Sequence, residues 1–143
     1  YEMPSGSDMV VLYTKEVRCG LFASPEYLAK NGYPRDLEDL TGNYRVVHRA
    51  GYATNFRRWR DILKNCRHIG YVSNTSWSLT EVIRNGGGIG LLPMRFKNSG
   101  LVCLDNMPCE EDATFYLFAH KNTKDIPRVR TVINFCKSQM DKI

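Results

Sequence analysis

Residues 74 to 93 read Asn-Thr-Ser-Trp-Ser-Leu-Thr-Glu-Val-Ile-Arg-Asn-Gly-Gly-Gly-Ile-Gly-Leu-Leu-Pro, and their order decides the fold. Ser78 and Glu81 have S-x-x-E spacing, in which each side chain satisfies a backbone N–H that the first helical turn leaves unpaired. A helix is therefore expected to start near Ser78. Leu79, Val82 and Ile83 fall at i, i+3 and i+4, which gives one apolar stripe, while Arg84 and Asn85 face water. Gly86 is free to take the left-handed conformation that ends helices, and Ile89 to Leu92 form a short apolar strand closed by Pro93. A buried strand behind a one-sided helix points to an α/β sheet covered on both faces. The glycine run is no dinucleotide fingerprint, because such a loop follows a strand and opens a helix, and here the order is reversed.

Outward from that unit, a chain of 143 residues is one domain by length, with 43% hydrophobic and 24% charged residues, the balance of a globular protein. No run approaches the roughly 18 apolar residues of a membrane span, and the start lacks a signal-peptide profile, so a cytoplasmic protein with no membrane partner is expected. Cys19, Cys66, Cys103, Cys109 and Cys136 are odd in number and lack C-x-x-C spacing, which argues for free thiols against a disulfide framework or a metal site. Buried free thiols are the plainer reading; Cys66 alone has Lys64, Arg67 and His68 beside it, cationic neighbours of the kind that lower a thiol's pKa toward a reactive thiolate. The net charge of +5 favours anionic partners mildly, and Arg57, Arg58, Arg60, Lys64 and Arg67 concentrate it.

In chain order, residues 1 to 8 are turn formers without periodicity, and the chain reads as a piece of a longer protein. Val17 to Ala23 fits a strand, Ser24-Pro25 an N-cap, Glu26 to Lys30 a helix stopped at Asn31-Gly32, Leu37 to Leu40 a helical turn, and Tyr44 to His48 a strand. Residues 55 to 64 are ambiguous: Phe56, Trp59, Ile62 and Leu63 have slightly better helical than strand periodicity, whereas Lys64-Asn65 suits a hairpin. His68 to Ser73, Leu101 to Leu104 and Thr114 to Ala119 complete about six strands. Asp125 is the expected cap of a closing helix whose apolar stripe is Val129, Val132, Ile133, Cys136 and Met140.

Taken together, Ala23-Ser24-Pro25-Glu26-Tyr27-Leu28 with Asn31-Gly32 and Pro34, then Asp36-Leu37, Trp59, Asn85 to Pro93, Gly100-Leu101-Val102 and Pro127-x-Val129-Arg130 resemble, in order and spacing, the effector-binding domain of LysR-type transcriptional regulators. The resemblance covers nearly the whole chain. It implies an α/β fold of the periplasmic-binding-protein type II kind, a mixed sheet flanked by helices, plus a C-terminal helix. The second regulatory subdomain would span residues 14–117, and residues 118–143 would supply the return strand end and the helix that packs on the first subdomain. The family's N-terminal winged helix-turn-helix has no counterpart in this chain. By the same resemblance, residues 55 to 65 would form two short strands.

The resemblance also implies a sensor of a small-molecule effector, acting on DNA only through the missing N-terminal domain and assembling as a homo-oligomer, dimer or tetramer in full length. The site falls in two loops beyond strand carboxyl ends, where this architecture places ligands. Gly51, Tyr52, Ala53, Thr54 and Asn55 offer hydroxyl, amide and backbone N–H groups, although a plain polar turn would look the same. Asn74, Thr75 and Ser76 precede a helix whose positive end favours a carboxylate, so an organic acid is the expected effector, although capping alone would explain them too. No catalytic residues, metal ligands or cofactor are expected, since His48, His68 and His120 lie far apart and no G-x-S-x-G or H-E-x-x-H occurs. The alternative is a stand-alone small-molecule binding module of periplasmic-binding type, unconnected with DNA.

Overall fold

The computed structural model describes residues 8–107, 109 and 111–142; the turn-forming opening lies, except for Asp8, outside them. The chain divides into two compact units, one of residues 18–112 and one of residues 1–17 with 113–143. Strand β1 (Met9–Ala23) is much longer than the expected Val17 to Ala23 and runs through both. Its last third is fully buried, whereas its first half, although it opens on the apolar run Met9 to Tyr13, alternates between exposed and half-covered residues.

In the larger unit, β1 is the middle strand of the path β4-β1-β5; β6 (Glu111–His120), which pairs with β1 off that path, belongs from Ala113 on to the smaller unit. Strand β4 (Gly90–Pro93) pairs antiparallel with it from Cys19↔Pro93 to Phe22↔Gly90, and β5 (Val102–Cys103) joins at Phe22 and Ala23. Strands β2 (Val46–Arg49) and β3 (Ile69–Ser73) form a second, parallel ladder. A parallel bridge between Val46 and Ile89 links that ladder to the entrance of β4. The six strands thus make a mixed sheet in two hydrogen-bonded parts, and Ile89, Leu91 and Leu92 are completely buried in it.

Helix α1 (Pro25–Asn31) starts as its sequence demands: the Ser24 hydroxyl accepts from the Tyr27 N–H at 3.1 Å, proline occupies the first turn, and Gly32 ends it at φ +81°. Helix α2 (Leu37–Asn43) runs one turn longer than expected, capped by the Asp36 carboxylate on the Asp39 N–H at 2.8 Å. The expected strand at Tyr44 to His48 begins at Val46, and the chain then turns into α3 (Ala50–Asn55), a short helix where a loop was expected.

Residues 55 to 65 are not the two strands that the resemblance implied but a helix, α4 (Arg57–Asn65). A strand would put Phe56, Arg58, Arg60 and Ile62 on one face, burying two guanidinium groups with the apolar pair. The helical period instead buries Phe56, Trp59 and Ile62 together and leaves Arg57, Arg58, Arg60 and Asp61 in water. No side chain within the segment caps α4; the Glu111 carboxylate accepts from the Trp59 N–H at 3.0 Å across 52 residues.

Helix α5 (Ser76–Arg84) starts two residues before Ser78, because Thr75, not Ser78, is its N-cap. The Thr75 hydroxyl accepts from the Ser78 N–H at 3.2 Å, and Glu81 pairs with Arg84 at 3.0 Å instead of closing a capping box. Its buried face is Leu79, Thr80 and Ile83, with Val82 half-covered.

In the smaller unit, α6 (Pro127–Met140) is capped by Ile126 without a side-chain bond, and the expected cap Asp125 pairs with Lys124 at 2.7 Å. Val129, Ile133, Cys136 and Met140 are half-buried, but Val132 on the same stripe is exposed. The Tyr13 hydroxyl bonds the Asp141 carboxylate at the end of this helix.

Candidate functional site

Because β2 and β3 are parallel and in register through Val47↔Tyr71, His48↔Val72 and Arg49↔Ser73, both strands end at one edge. The segment after β2 is α3 and the segment after β3 is the start of α5, so the topology brings the two expected loops together. Such a convergence of chain beyond the carboxyl ends of adjacent parallel strands is where α/β folds hold ligands.

Tyr52 is the contact between them. It is buried, packs edge-on against Phe56 with ring centroids 5.1 Å apart, and its hydroxyl lies 3.4 Å from the Ser76 Oγ. Arg49, at the end of β2, ties the same two segments. Its guanidinium carbon sits 5.3 Å from the centre of the Tyr52 ring, and its Nε donates to the Asn74 carbonyl at 3.4 Å. A cation over an aromatic face in this range is held by the ring quadrupole.

A cluster of hydroxyls fixes the other wall. Ser73 is buried; its Oγ donates to the Thr75 carbonyl at 2.8 Å, accepts from the Thr75 N–H at 3.0 Å and lies 2.9 Å from the Ser78 Oγ. The Thr75 and Ser78 hydroxyl oxygens are 2.6 Å apart. The Thr75 hydroxyl is therefore committed to the helix start, whereas the Ser76 and Trp77 N–H groups find no acceptor among the described residues. Those two donors at a positive helix end can hold a carboxylate oxygen.

The remaining expected residues divide by position. Thr54, Asn55 and Gly51 are exposed on α3 and Ala53 is half-buried, while Asn74, Thr75 and Ser76 are exposed before and at the start of α5. Tyr52 and Ser76 are brought together, whereas neither Thr54 nor Asn55 is hydrogen-bonded to residues 74–76. Arg49 and Ser73 were not expected. A cation closing a strand just before a candidate loop was the available signal for Arg49, and for Ser73 there was none, since a buried serine in a strand has no distinctive spacing.

No thiol is among the residues that make these contacts. Burial pushes Cys66 up to about 11, against the expectation from its basic neighbours, and burial first, then nearby carboxylates, push Cys19 and Cys109 up to about 12. Among the described residues no three His, Cys, Asp or Glu side chains are placed to hold a metal ion, and no helix is long and apolar enough to cross a membrane.

The sequence model of the LysR substrate binding domain matches residues 2–141. Among solved structures, the regulatory domain of CrgA, a LysR-type transcriptional regulator from Neisseria meningitidis, is 21% identical with a TM-score of 0.72, over 92% of this chain and 69% of that one. The effector domain of the transcriptional regulator AmpR of Pseudomonas aeruginosa is 16% identical with a TM-score of 0.67, over 96% and 68%. The effector-binding domain of QuiR in complex with shikimate is 16% identical with a TM-score of 0.63, over 99% and 69%. At these identities the likeness is one of fold. No curated protein matches the chain in sequence.

Proposed function

We propose a ligand and a role from a premise that stands by itself: this chain belongs to the LysR substrate-binding domain family and is an effector-binding regulatory domain of the LysR type. Its effector is a small organic acid, held where α3 meets the start of α5. The carboxylate lies on the Ser76 and Trp77 N–H groups with the Arg49 guanidinium beside it. The Tyr52 and Ser76 hydroxyls, Thr54, Asn55, Asn74 and the backbone of Gly51, Ala53 and Thr75 form the rest of the contact surface. Residues 14–117 act as one regulatory subdomain and residues 118–143 belong with the other. DNA is reached only through a winged helix-turn-helix outside this chain, and the regulator works as a homo-oligomer in the cytoplasm. The domain itself performs no catalysis.

What supports this reading above all is the Tyr52–Ser76 contact at 3.4 Å, which joins two segments 24 residues apart at one strand edge. The QuiR domain's complex with shikimate, a small hydroxylated carboxylate, is in keeping with that chemistry.

Trp77, 77% exposed at the first turn of α5, provides the measurement. Titration with a panel of small carboxylates is expected to change its fluorescence saturably for one of them. Arg49→Gln is expected to weaken that binding about tenfold or more, the loss of one charge-assisted hydrogen bond, and Ser76→Ala, which keeps the N–H and removes the hydroxyl, about threefold or more. Unchanged affinity in both variants would remove the site, and sequence-specific operator binding by residues 1–143 at physiological salt would remove the division of labour.

A further inference from the structure

The opposite ends of β2 and β3 border an open groove of about 450 Å³, lined by Glu26, Tyr27, Lys30 and Asn31 of α1, Asn43 of α2, Arg45 and His68 just before the two strands, and Gly86. This is well within the size of small-molecule sites. It lies a strand's length, about 15 Å, from the carboxyl-end site.

Its chemistry is cationic. Lys30, Arg45 and His68 come from three different segments, and no acidic side chain among the described residues pairs with any of them. The walls are fixed by bonds that leave these groups alone. The Asn31 amide donates to the Tyr27 carbonyl at 2.8 Å and the Asn43 amide to Asp39 at 2.8 Å. The buried Tyr27 hydroxyl accepts from the Arg45 N–H at 2.9 Å, so its own proton remains for an acceptor in the groove. Gly70 makes room for the Arg45 stem. A Cβ on Gly70 would stand 2.3 Å from the Arg45 Cδ and 2.4 Å from its Cγ, so only glycine lets the stem lie across β3.

We propose that this groove is a second ligand site, separate from the carboxyl-end site, and that it takes a phosphomonoester of a small polyol. A phosphomonoester carries about −1.5 to −2 charges at neutral pH and three acceptor oxygens, enough for Arg45, Lys30, His68 and the Tyr27 hydroxyl. Its three oxygens can meet Arg45, Lys30 and the Tyr27 hydroxyl one each, whereas a carboxylate has two oxygens for the three. Glu26, the one acidic lining residue, lies one helical turn from Lys30 on α1 and accepts from polyol hydroxyls beside the phosphate.

The test uses the full chain labelled for amide NMR, titrated at fixed ionic strength with glucose 6-phosphate, inorganic phosphate and glucose. Saturable shifts are expected around residues 30, 45, 68 and 70, tightest for glucose 6-phosphate and absent for glucose. The Lys30→Gln, Arg45→Gln double variant is expected to bind it at least tenfold more weakly. Gly70→Ala, which keeps every charge but displaces the Arg45 stem, is expected to weaken it threefold or more, and Arg49→Gln to leave it unchanged. Co-sedimentation with phosphatidic acid vesicles separates a lipid source of the same group. Binding that survives the double variant, shifts no different from those of added chloride, or retention on vesicles without shifts from the soluble ester would each overturn the proposal.

Discussion

Thr75 does more than its neighbours at the entrance to α5, since its hydroxyl accepts from the Ser78 N–H and touches the Ser78 hydroxyl, while its own backbone is gripped by Ser73. Removing an N-cap hydroxyl costs ~1 kcal/mol. Thr75→Ala is expected to lower stability by about that amount in urea unfolding, with Thr75→Ser close to the parent; equal losses for both would mean that the methyl group, not the cap, matters. At Cys66 the sequence misled for a definable reason: proximity of Lys64, Arg67 and His68 along the chain suggested a lowered pKa, but half-burial raises it from 9.0 to about 11. Two units leave on the order of a hundredfold less thiolate near neutral pH. Iodoacetamide is expected to label native Cys66 far more slowly than the urea-unfolded chain, read by peptide mass mapping, and equal rates would refute the shift. The sign for stability follows, because a folded-state pKa above the unfolded value favours the folded state below pH 9.0. That contribution, shared with Cys19 and Cys109, is lost as pH rises from 9.0 toward 11 to 12.

The end of α5 shows two different reasons for glycine in one turn. Gly86 at φ +74° donates to the Ile83 carbonyl at 3.1 Å and Gly87 to the Val82 carbonyl at 2.8 Å, the paired bonds of a Schellman stop. At Gly86 a side chain would have room, with the Ser24 Oγ 3.8 Å away, but not the conformation. Gly87 is the reverse: its Cβ would stand 2.4 Å from the Val82 Cγ1 and 2.7 Å from the Val82 carbonyl oxygen. Gly86→Ala is expected to cost ~1–2 kcal/mol through the left-handed backbone, and Gly87→Ala ~1–3 kcal/mol through overpacking. Gly42 inside α2 has nothing within 4 Å of a Cβ, so Gly42→Ala is expected to stabilise by ~0.5–1 kcal/mol. Denaturant midpoints with opposite signs for positions 42 and 87 would check the contrast. The stop at Gly86, the cap at Ser24 and the buried run to Pro93 were legible because each is local chemistry. The cap of α4 was not, because its acceptor is Glu111, 52 residues away. The helix at 57–65 was legible from its own 3.6-residue period, and the expectation of strands came from resemblance overriding that period. At the site, strand-end loops could be named from order alone, but the Arg49–Tyr52–Ser76 meeting depends on the β2–β3 register, which no local pattern specifies.

For the molecule as a whole, the distribution of apolar surface bears on association. Among the described residues strand β3 pairs only with β2, so its other edge carries unpaired backbone groups. Along it Ile69, Tyr71 and Val72 are exposed, Val72 at 53%, and Trp77 follows at the head of α5. No lysine, proline or acidic residue interrupts the strand Ile-Gly-Tyr-Val-Ser, and the register shift at Gly70, between Val46↔Ile69 and Val47↔Tyr71, leaves Tyr71 to Ser73 as its regular part. In the smaller unit Val132 and Phe135 of α6 are also exposed. Each fully buried apolar side chain contributes ~1.5–3 kcal/mol, so covering three or four of them in a symmetric contact supports a dimer of micromolar order. The edge of β3 is the better candidate, since a second copy can meet it antiparallel and satisfy backbone groups as well as side chains. The mass in sedimentation velocity is accordingly expected to rise with concentration. Val72→Lys, which places a charge on that edge, is expected to hold the chain monomeric with an unchanged far-UV spectrum, while Phe135→Lys changes the association less. A chain that stays monomeric into the high micromolar range would sink this expectation, and an assembly abolished by Phe135→Lys but indifferent to Val72→Lys would move the contact to α6.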